Sequence, residues 1–586
     1  MPLKKLLLKP GVNRENTRYT NEGGWYDCDK VRFRQGTPEK IGGWQRISSQ
    51  TFLGVCRSLN NWVTLGGSNL IGLGTNLKFY VEEGGGYNDI TPLRATVTLT
   101  NPVTTSSGSS IVVIADAAGG YANGDFVTFS GASAVGGLTV DGDYQITYTG
   151  GTTYTIDAGS SAASTATGGG TVTAAYQVNV GPAVVVPFVG WGAGTWSAGT
   201  WGVGESADDS LRIWSQATFG EDLIYGPRGG QIYYWDATGG VTTRGVLLSS
   251  LAGASNVPTH QNLILTSDIS RFVFAFGANE YGSATVDPML IRWSDQEDAT
   301  NWTPAATNQA GFLRLSSGSE IVAALQSRQE VLVWTNAALY SLQYQGAPIV
   351  WGAQLVGENI SIAGQNAVTY ANGVSYWMGK DKFYMYDGRV QSLRCDLRQY
   401  IFGDLNTGQY EQVVAGTNEG FNEIWWFYCA ANSSQNDRYV IYNYREDIWY
   451  FGNLDRTAWL DSGLRNFPLA ATYANNLVDH ESGVDDQITD SPVPIAAYIT
   501  SSEFDLDDGH QFAFVWRVLP DMTFRGSTAT SPSATMTLLP LKNAGSGYNT
   551  PASVGGSNSA GITRTATLPI EEFTGQVYTR VRGRQM

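Results

Sequence analysis

The sequence predicts an all-β protein, and three observations support this fold class. Glycine is abundant, with 70 residues among 586, and aromatic residues make up 12% of the chain. Charged residues make up only 15%, against about 25% in an average soluble domain. Segments rich in Thr, Val and aromatic residues alternate with glycine turns, and Leu-rich helical runs are few, which favours antiparallel sheets with many turns.

A recurring pattern of short strands predicts that these sheets form a β-propeller. Residues 68–91 and 221–243 both contain an apolar strand, a glycine turn, an aromatic strand, an acidic Gly-Gly turn and a Thr-rich strand. Looser versions of the pattern are found at residues 262–276 with 289–295, 330–344, 373–393 and 422–452. Repeats of about 40–50 residues built from antiparallel strands are typical of propeller blades. The irregular spacing gives a range of five to seven blades, with about six expected, and residues up to about Arg57 are expected to complete the last blade.

Composition changes along the chain predict four regions. They are residues 1–90, an N-terminal segment with the first propeller strands; 91–180, an inserted Ser/Thr/Gly-rich β module; 181–483, the main propeller; and 484–586, a C-terminal β-sandwich-like module. Most of the insert falls in a stretch without Lys or Arg between Arg94 and Arg212, and its TYTGGTTYTI segment predicts two strands around a Gly-Gly turn. A disordered Ser/Thr linker is the alternative for the insert. The last C-terminal strand ends at Met586, so it is either an edge strand or pairs with a partner chain.

The acidic composition limits the partners of the chain. Its formal net charge of −16 opposes unspecific binding to nucleic acid, because phosphate affinity comes from Lys and Arg. It is compatible with a protein past which DNA slides without sticking. The sequence has no signal-peptide core and no apolar run of about 18 residues, so we expect synthesis in the cytoplasm and no membrane anchor.

Few residues indicate a catalytic or metal-binding function. The four cysteines share no CxxC spacing, and none of the three histidines has a second His or Cys at ligand spacing. The nucleophile-elbow, Walker and HExxH motifs do not occur. We therefore expect no metal, no cofactor and no enzymatic activity.

Two acidic segments provide alternatives. SDQEDATNW (residues 294–302) resembles the Asp box of sialidase-like propellers, although Asp295 follows the serine directly and the glycine is missing. A glycosidase needs two carboxylates in one cleft, and the sequence shows no such partner for Asp295, Glu297 or Asp298. FDLDDG (residues 504–509) matches the start of an EF-hand loop, but Trp516 occupies the position that requires a bidentate Glu. A solvated turn is the simpler interpretation of the second segment.

Three tryptophans lie five residues apart in GWGAGTWSAGTWG, residues 190–202. This spacing fits neither a helix nor a strand. Stacking on sugar rings is one interpretation. We prefer packing anchors in a strap that leads from the insert back to the propeller, with the glycines allowing the backbone to bend. The predicted structural anchors, with a possible interface role, are Trp191, Trp196, Trp201, Trp214, Trp235, Trp293 and Trp302.

Several long phrases outside the insert are distinctive. They are residues 9–45 (KPGVNRENTRYTNEGGWYDCDKVRFRQGTPEKIGGWQ), 190–202, 209–240 (DSLRIWSQATFGEDLIYGPRGGQIYYWDATGG), 291–304 (IRWSDQEDATNWTP) and the C-terminal FDLDDG with FVWRVLPDM. Together they resemble the tail nozzle or tail hub proteins of short-tailed bacteriophages, also called packaged-DNA stabilisation proteins. The phrases contain no catalytic signature.

The resemblance implies a structural protein of the virion tail. It implies a β-propeller with inserted β modules, of which six copies form a ring below the portal and the head–tail adaptor. Such a ring extends the DNA channel, retains packaged DNA until infection, lets double-stranded DNA pass without sequence-specific binding, and attaches fibres, spikes or a needle. Because Lys and Arg are few, we expect its lumen to be neutral to acidic.

Two rival functions stay open at the level of sequence. The first is a carbohydrate-binding or polysaccharide-cleaving propeller at the phage tail tip, which calls for exposed Trp or Tyr beside paired carboxylates. The second is a cellular surface-adhesion propeller, which calls for a secretion signal.

Overall fold

The computed structural model describes residues 4–117, 119–186, 210–267, 270–542 and 565–586. In these residues strands dominate, which confirms the all-β prediction. The helices described are one α-helix, Arg398–Asp404 (α1), and four short 3-10 helices at Ala237–Gly239, Leu248–Ser250, Thr407–Gln412 and Glu419–Phe421.

The chain begins with an N-terminal arm that contains four short strands. They are β1 (Trp25–Asp29), β2 (Val31–Arg34), β3 (Thr37–Lys40) and β4 (Trp44–Arg46). Strands β2 and β3 form a hairpin whose turn residues, Gln35 and Gly36, both have positive φ. The φ of Gly36 is 78°, a left-handed conformation that glycine adopts without steric cost.

The first blade follows the arm and leads directly into the inserted module. The strands of the blade are β5 (Cys56–Val63), β6 (Asn69–Thr75), β7 (Phe79–Glu83) and β8 (Gly86–Asp89). The strands of the insert are β9 (Leu93–Thr100), β10 (Val103–Thr105), β11 (Ile111–Ala115), β12 (Phe126–Ser130), β13 (Gly142–Gln145), β14 (Thr147–Gly150), β15 (Thr153–Asp157), β16 (Ala166–Gly168) and β17 (Thr171–Gln177).

The insert is a two-sheet module with its own core. One sheet has the order β14-β15-β11-β10-β16 and the other β13-β12-β17-β9. Apolar residues of both sheets, among them Ile114, Tyr154 and Val172, form one buried cluster. The predicted hairpin around Gly150 and Gly151 is confirmed by the pairing of β14 with β15. The linker alternative is therefore wrong, because alternating β-branched residues bury a core that disordered Ser/Thr sequence lacks.

Six further blades follow the insert. Their strands are β18 (Trp214–Phe219), β19 (Asp222–Pro227), β20 (Tyr233–Trp235) and β21 (Val246–Leu247) in blade 2; β22 (Leu263–Thr266), β23 (Val273–Phe276), β24 (Leu290–Trp293) and β25 (Gly311–Arg314) in blade 3; β26 (Ile321–Gln326), β27 (Val331–Thr335), β28 (Ala338–Gly346) and β29 (Val350–Glu358) in blade 4; β30 (Val368–Ala371), β31 (Val374–Met378), β32 (Phe383–Tyr386) and β33 (Val390–Ser392) in blade 5; β34 (Val414–Asn418), β35 (Glu423–Cys429), β36 (Asn436–Asn443) and β37 (Ile448–Gly452) in blade 6; and β38 (Ala458–Leu460), β39 (Leu469–Ala471), β40 (Leu477–His480), β41 (Asp485–Gln487) and β42 (Val493–Pro494) in blade 7.

The seven sheets close into a propeller. The first strand of each blade lies beside the first strand of the next, in the order β5, β18, β22, β26, β30, β34 and β38, and β38 lies beside β5. The seventh sheet is completed by the N-terminal arm, because β4 pairs antiparallel with β40 and parallel with β41. This confirms that the N-terminal residues complete the last blade.

The structure has seven blades in its described residues, at the upper end of the predicted range and one more than the expected number. Blade 7 was not recognised because β38 and β39 have only three residues each and the fourth strand of the sheet, β4, comes from the opposite end of the chain. The seventh sheet also continues to Pro494, past the boundary predicted at residue 484.

The C-terminal region consists of one strand on the arm and two small ribbons. Strand β43 (Tyr498–Ser501) pairs with β1, β44 (Ala513–Val518) with β47 (Val577–Gly583), and β45 (Ser533–Leu538) with β46 (Ala566–Glu571). The two ribbons share a small apolar core, as expected of a sandwich-like module. The arm also lies on blade 6, because the N–H of Val12 donates to the carbonyl of Trp449 in the outer strand β37. Since β43 pairs with the arm, the C-terminal module is attached at the outer side of blade 6.

Candidate functional site at the propeller axis

One end of the propeller axis is closed by polar side chains that reach across the ring. Arg57 at the start of blade 1 donates from Nη2 to Oε1 of Gln412, which precedes blade 6, at 2.6 Å. Asn366, which precedes blade 5, donates to the carbonyl oxygen of Arg57 at 2.9 Å. Neither pair belongs to neighbouring blades, so these bonds must cross the axis.

Two further bonds cross the ring at the same end. Gln365 before blade 5 donates to Oγ of Ser215 in blade 2 at 3.2 Å. Arg228 of blade 2 forms an ion pair with Glu411 before blade 6, with 2.5 Å between Nη2 and Oε2. The set is called the axial plug here and consists of Arg57, Ser215, Arg228, Gln365, Asn366, Gln409, Glu411 and Gln412.

The centre of the plug is buried. Arg57 is 2% exposed and Gln412 is fully buried. Asn436 of blade 6 donates to the backbone carbonyls of Gln412 and Arg456. These bonds connect the plug to blade 6 and to the segment that leads into blade 7. The bonds across the ring bring side chains from several blades together at this end of the protomer axis.

The chain that returns from the insert runs into the plug. The backbone N–H of Val185 donates to the side chain of Gln409 at 3.0 Å, and the Gln409 amide donates back to the Val185 carbonyl at 2.7 Å. After segment 187–209, the N–H of Leu211 donates to Glu411 and its carbonyl accepts from Arg228. The described residues on either side of segment 187–209 are therefore anchored at the axial plug.

The predicted tryptophan anchors divide into two groups. Trp191, Trp196 and Trp201 lie in segment 187–209, outside the described residues. The other four are buried inside the protomer, with exposures of 1–3%, and each indole N–H donates to a backbone carbonyl; they are Trp214, Trp235, Trp293 and Trp302. These four act as internal anchors and are not available to a partner chain.

The ring is held closed by a buried charge cluster that the sequence did not reveal. Arg32 of β2, only 1% exposed, contacts Glu423 of blade 6 through two hydrogen bonds, at 2.9 and 3.0 Å. The same guanidinium contacts Glu481 after β40 of blade 7 and lies 3.6 Å from the ring centroid of Phe421. Burial lowers the pKa of a guanidinium, but the two carboxylates outweigh it and raise the pKa of Arg32, which keeps it charged.

A second buried cation lies where β4 joins the seventh sheet. Arg456 donates from Nε to Nε2 of His480 at 2.7 Å. Trp44 and Trp459 pack on the imidazole, with ring centroids 5.5 and 4.7 Å away. Burial lowers the pKa of Arg456 to about 10, and burial together with Arg456 holds the pKa of His480 well below its usual 6.5. The imidazole is therefore neutral and serves as a hydrogen-bond acceptor.

An ion-pair cluster fixes the insert to the propeller. Lys78 and Asp89 of blade 1 are 2.7 Å apart, and Arg244 of blade 2 contacts the same carboxylate at 3.1 Å. Asp143 of the insert contacts both cations, at 3.4 and 3.5 Å. Burial raises the pKa of Asp89, but Lys78 and Arg244 outweigh burial and keep it below its ordinary value.

The acidic segments form turns. Asp295 accepts hydrogen bonds from the backbone N–H groups of Gln296 and Gln309, and Asp298 accepts from Thr300. In the second segment Asp508 accepts from the backbone of His510. Across the described ranges no group of three His, Cys, Asp or Glu side chains has metal-binding geometry. In the same part of the chain, no helix has the length and apolar character needed to span a membrane.

Comparisons with known proteins do not assign a family. No family model matches the chain, and no curated protein matches it. Among solved structures, Hsv2 of Kluyveromyces marxianus is similar at 8% identity and a TM-score of 0.28, covering 49% of this chain and 78% of that one. Hsv2 of Kluyveromyces lactis is similar at 12% identity and a TM-score of 0.28, covering 46% and 74%. The propeller assignment rests on the strand pairing and ring closure described above.

Proposed function

We propose that this chain is a structural protein of a bacteriophage virion, a subunit of the tail nozzle or hub ring below the portal and adaptor. Six copies form the ring, which extends the DNA channel, retains packaged DNA and attaches fibres, spikes or a needle. The chain works by assembly and has no catalytic role.

The segment at residues 9–45 supports this proposal most directly, because its residues close the propeller within the protomer. It contains Arg32 of the buried charge cluster and Trp44 of the strand that completes blade 7. It also contains Arg14, whose guanidinium carbon lies 4.1 Å from the ring centroid of Tyr400 and whose Nη2 contacts Asp27 at 2.9 Å. The segment that resembles nozzle proteins thus contains residues that hold the propeller together.

The axial plug adds a geometric argument. Because side chains of blades 1, 2, 5 and 6 close one end of the propeller axis, a DNA duplex cannot pass through a single protomer. A DNA channel built from this chain must therefore lie between copies, as in a ring of propellers. The net charge of −16 fits such a lumen, since phosphates find few cations to bind.

The mass and symmetry of the purified protein test the proposal. A ring of six gives particles of about 380 kDa from a chain of 63.2 kDa, with sixfold symmetry and an open centre in negative stain. Formation of the ring alone or with a head–tail adaptor supports the proposal, whereas a chain that stays monomeric in both conditions refutes it.

The carbohydrate alternative stays open on one observation. Trp516 and Tyr578 are exposed and stack with 6.1 Å between ring centroids, as a sugar platform could. Their neighbour is Arg517, whose guanidinium lies over Trp516 at 4.7 Å, where the alternative calls for paired carboxylates. Depolymerisation of host polysaccharide by the purified protein would favour the alternative over the nozzle.

A further inference from the structure

The C-terminal ribbon formed by β44 and β47 has an inner apolar face and an outer, exposed face of aromatic residues and arginines. Its inner face packs on the second ribbon, and among the described residues three buried apolar side chains, Leu538, Leu568 and Val581, form the shared core. Its outer face is called the ribbon face here and consists of Phe512, Phe514, Trp516, Tyr578, Arg580 and Arg582. Two-stranded ribbons are marginal in water unless another surface packs on them.

The ribbon face is an ordered surface. Phe514 lies directly opposite Arg582 in the strand pair, and Trp516 stacks on Tyr578. The guanidinium of Arg582 lies 4.8 Å from the ring centroid of Phe512. Phe514, Trp516 and Tyr578 are 50%, 46% and 65% exposed. Large aromatic residues that are contiguous and half exposed mark an interaction site rather than ordinary surface.

The composition of the face identifies the kind of partner. Aromatic residues and Arg are enriched, and Lys is depleted, in the centres of protein–protein interfaces. The ribbon face contains these residue types and no lysine. Strands β44 and β47 together carry three Arg and no Asp or Glu, whereas the whole chain carries 36 Lys or Arg against 52 Asp or Glu. The ribbon is therefore basic, although the chain as a whole is strongly acidic.

We propose that the ribbon face binds the acidic surface of a second copy of this chain. This rests on the proposed ring and names the surface that builds it. One copy offers a basic aromatic face and the next an acidic propeller, so the contact joins two different surfaces, and repetition of such a contact closes a ring when the rotation fits. The attachment of the module at the outer side of blade 6 leaves it at the periphery of the propeller, where a neighbour is within reach.

The test is the association of the full chain, measured by analytical ultracentrifugation and mass photometry. The variants are F514S/W516S, which removes aromatic area, and R580E/R582E, which reverses charge at exposed positions. We expect each to raise the dissociation constant for self-association at least tenfold with an unchanged circular dichroism spectrum, and high salt to weaken the wild-type contact. Matched controls are L65S, at a residue 91% exposed on blade 1, and R389E on an exposed turn of blade 5; neither should change association.

The outcomes separate this inference from the nozzle proposal. Rings that persist in both variants overturn the ribbon-face contact and leave the nozzle proposal intact. A wild-type chain that is monomeric at all concentrations, with and without an adaptor, overturns both. If R580E/R582E abolishes binding to duplex DNA in a gel-shift assay but leaves association unchanged, the face is a nucleic-acid surface and the inference is wrong.

Discussion

His480 makes the closure of the propeller sensitive to moderate acid. The side chain is buried, accepts a hydrogen bond from Arg456 and packs against Trp44 of the closing strand. Its protonation would place two cations side by side in a site that excludes water. The folded state therefore holds the pKa of His480 well below 6.5, whereas the unfolded chain regains the ordinary value.

The sign and size of the effect follow from proton linkage. Below pH 6.5 the unfolded state binds a proton that the folded state does not, so stability is fully present above that pH and falls as the pH decreases. One pKa unit corresponds to about 1.4 kcal/mol, so lowering the pH from 7 to 5 costs about 2 kcal/mol at this one residue.

The assay compares the wild type with His480→Gln, which keeps an acceptor for Arg456 but does not titrate. Urea unfolding is followed by tryptophan fluorescence at pH 7, 6 and 5. The wild type should lose about 2 kcal/mol more than the variant between pH 7 and 5. His260, whose pKa burial also lowers, is present in both proteins and cancels. Parallel pH dependences of the two proteins would refute the reasoning.

Three further substitutions test what stabilises the propeller. Arg32→Ala leaves the fully buried Glu423 without its cation and should cost about 3–5 kcal/mol of unfolding free energy, measured by denaturant titration. Trp302→Ala creates a cavity in the apolar cluster shared by blades 2 and 3 and should cost about 3–5 kcal/mol, visible as a lower melting temperature. Arg57→Ala removes the bonds to Gln412 and Ala183 at the axis and should cost about 2–3 kcal/mol in the same titration.

An exposed ion pair serves as the control for these substitutions. Arg46 and Asp490 form a contact in which the Asp490 side chain is 92% exposed. Asp490→Ala should change stability by less than about 1 kcal/mol, because water already screens the pair. A loss from Arg32→Ala no larger than that from Asp490→Ala would contradict the role of the buried charge cluster in holding the propeller closed. An unchanged stability of the Arg57→Ala protein would contradict the axial plug.

The sequence by itself determined the fold class and most of the blades. Alternating apolar residues between glycine turns record local strand pairing, so the meanders at residues 68–91 and 422–452 were recognisable without the structure. The same local signal identified the insert and its Gly150–Gly151 hairpin. It also marked Trp235 and Trp302 as anchors, since a large aromatic residue within such a repeat is usually buried.

Only the tertiary structure decided how the ring closes and what fills its axis. The pairing of β4 with β40 and the contact of Arg32 with Glu423 join residues hundreds of positions apart, and no short-range period records such a contact. The partners of Arg57 come from blades on other sides of the ring, so the plug exists only once all seven sheets are in place. Local periodicity determines strands, whereas burial and charge pairing across the closed ring determine which polar residues meet.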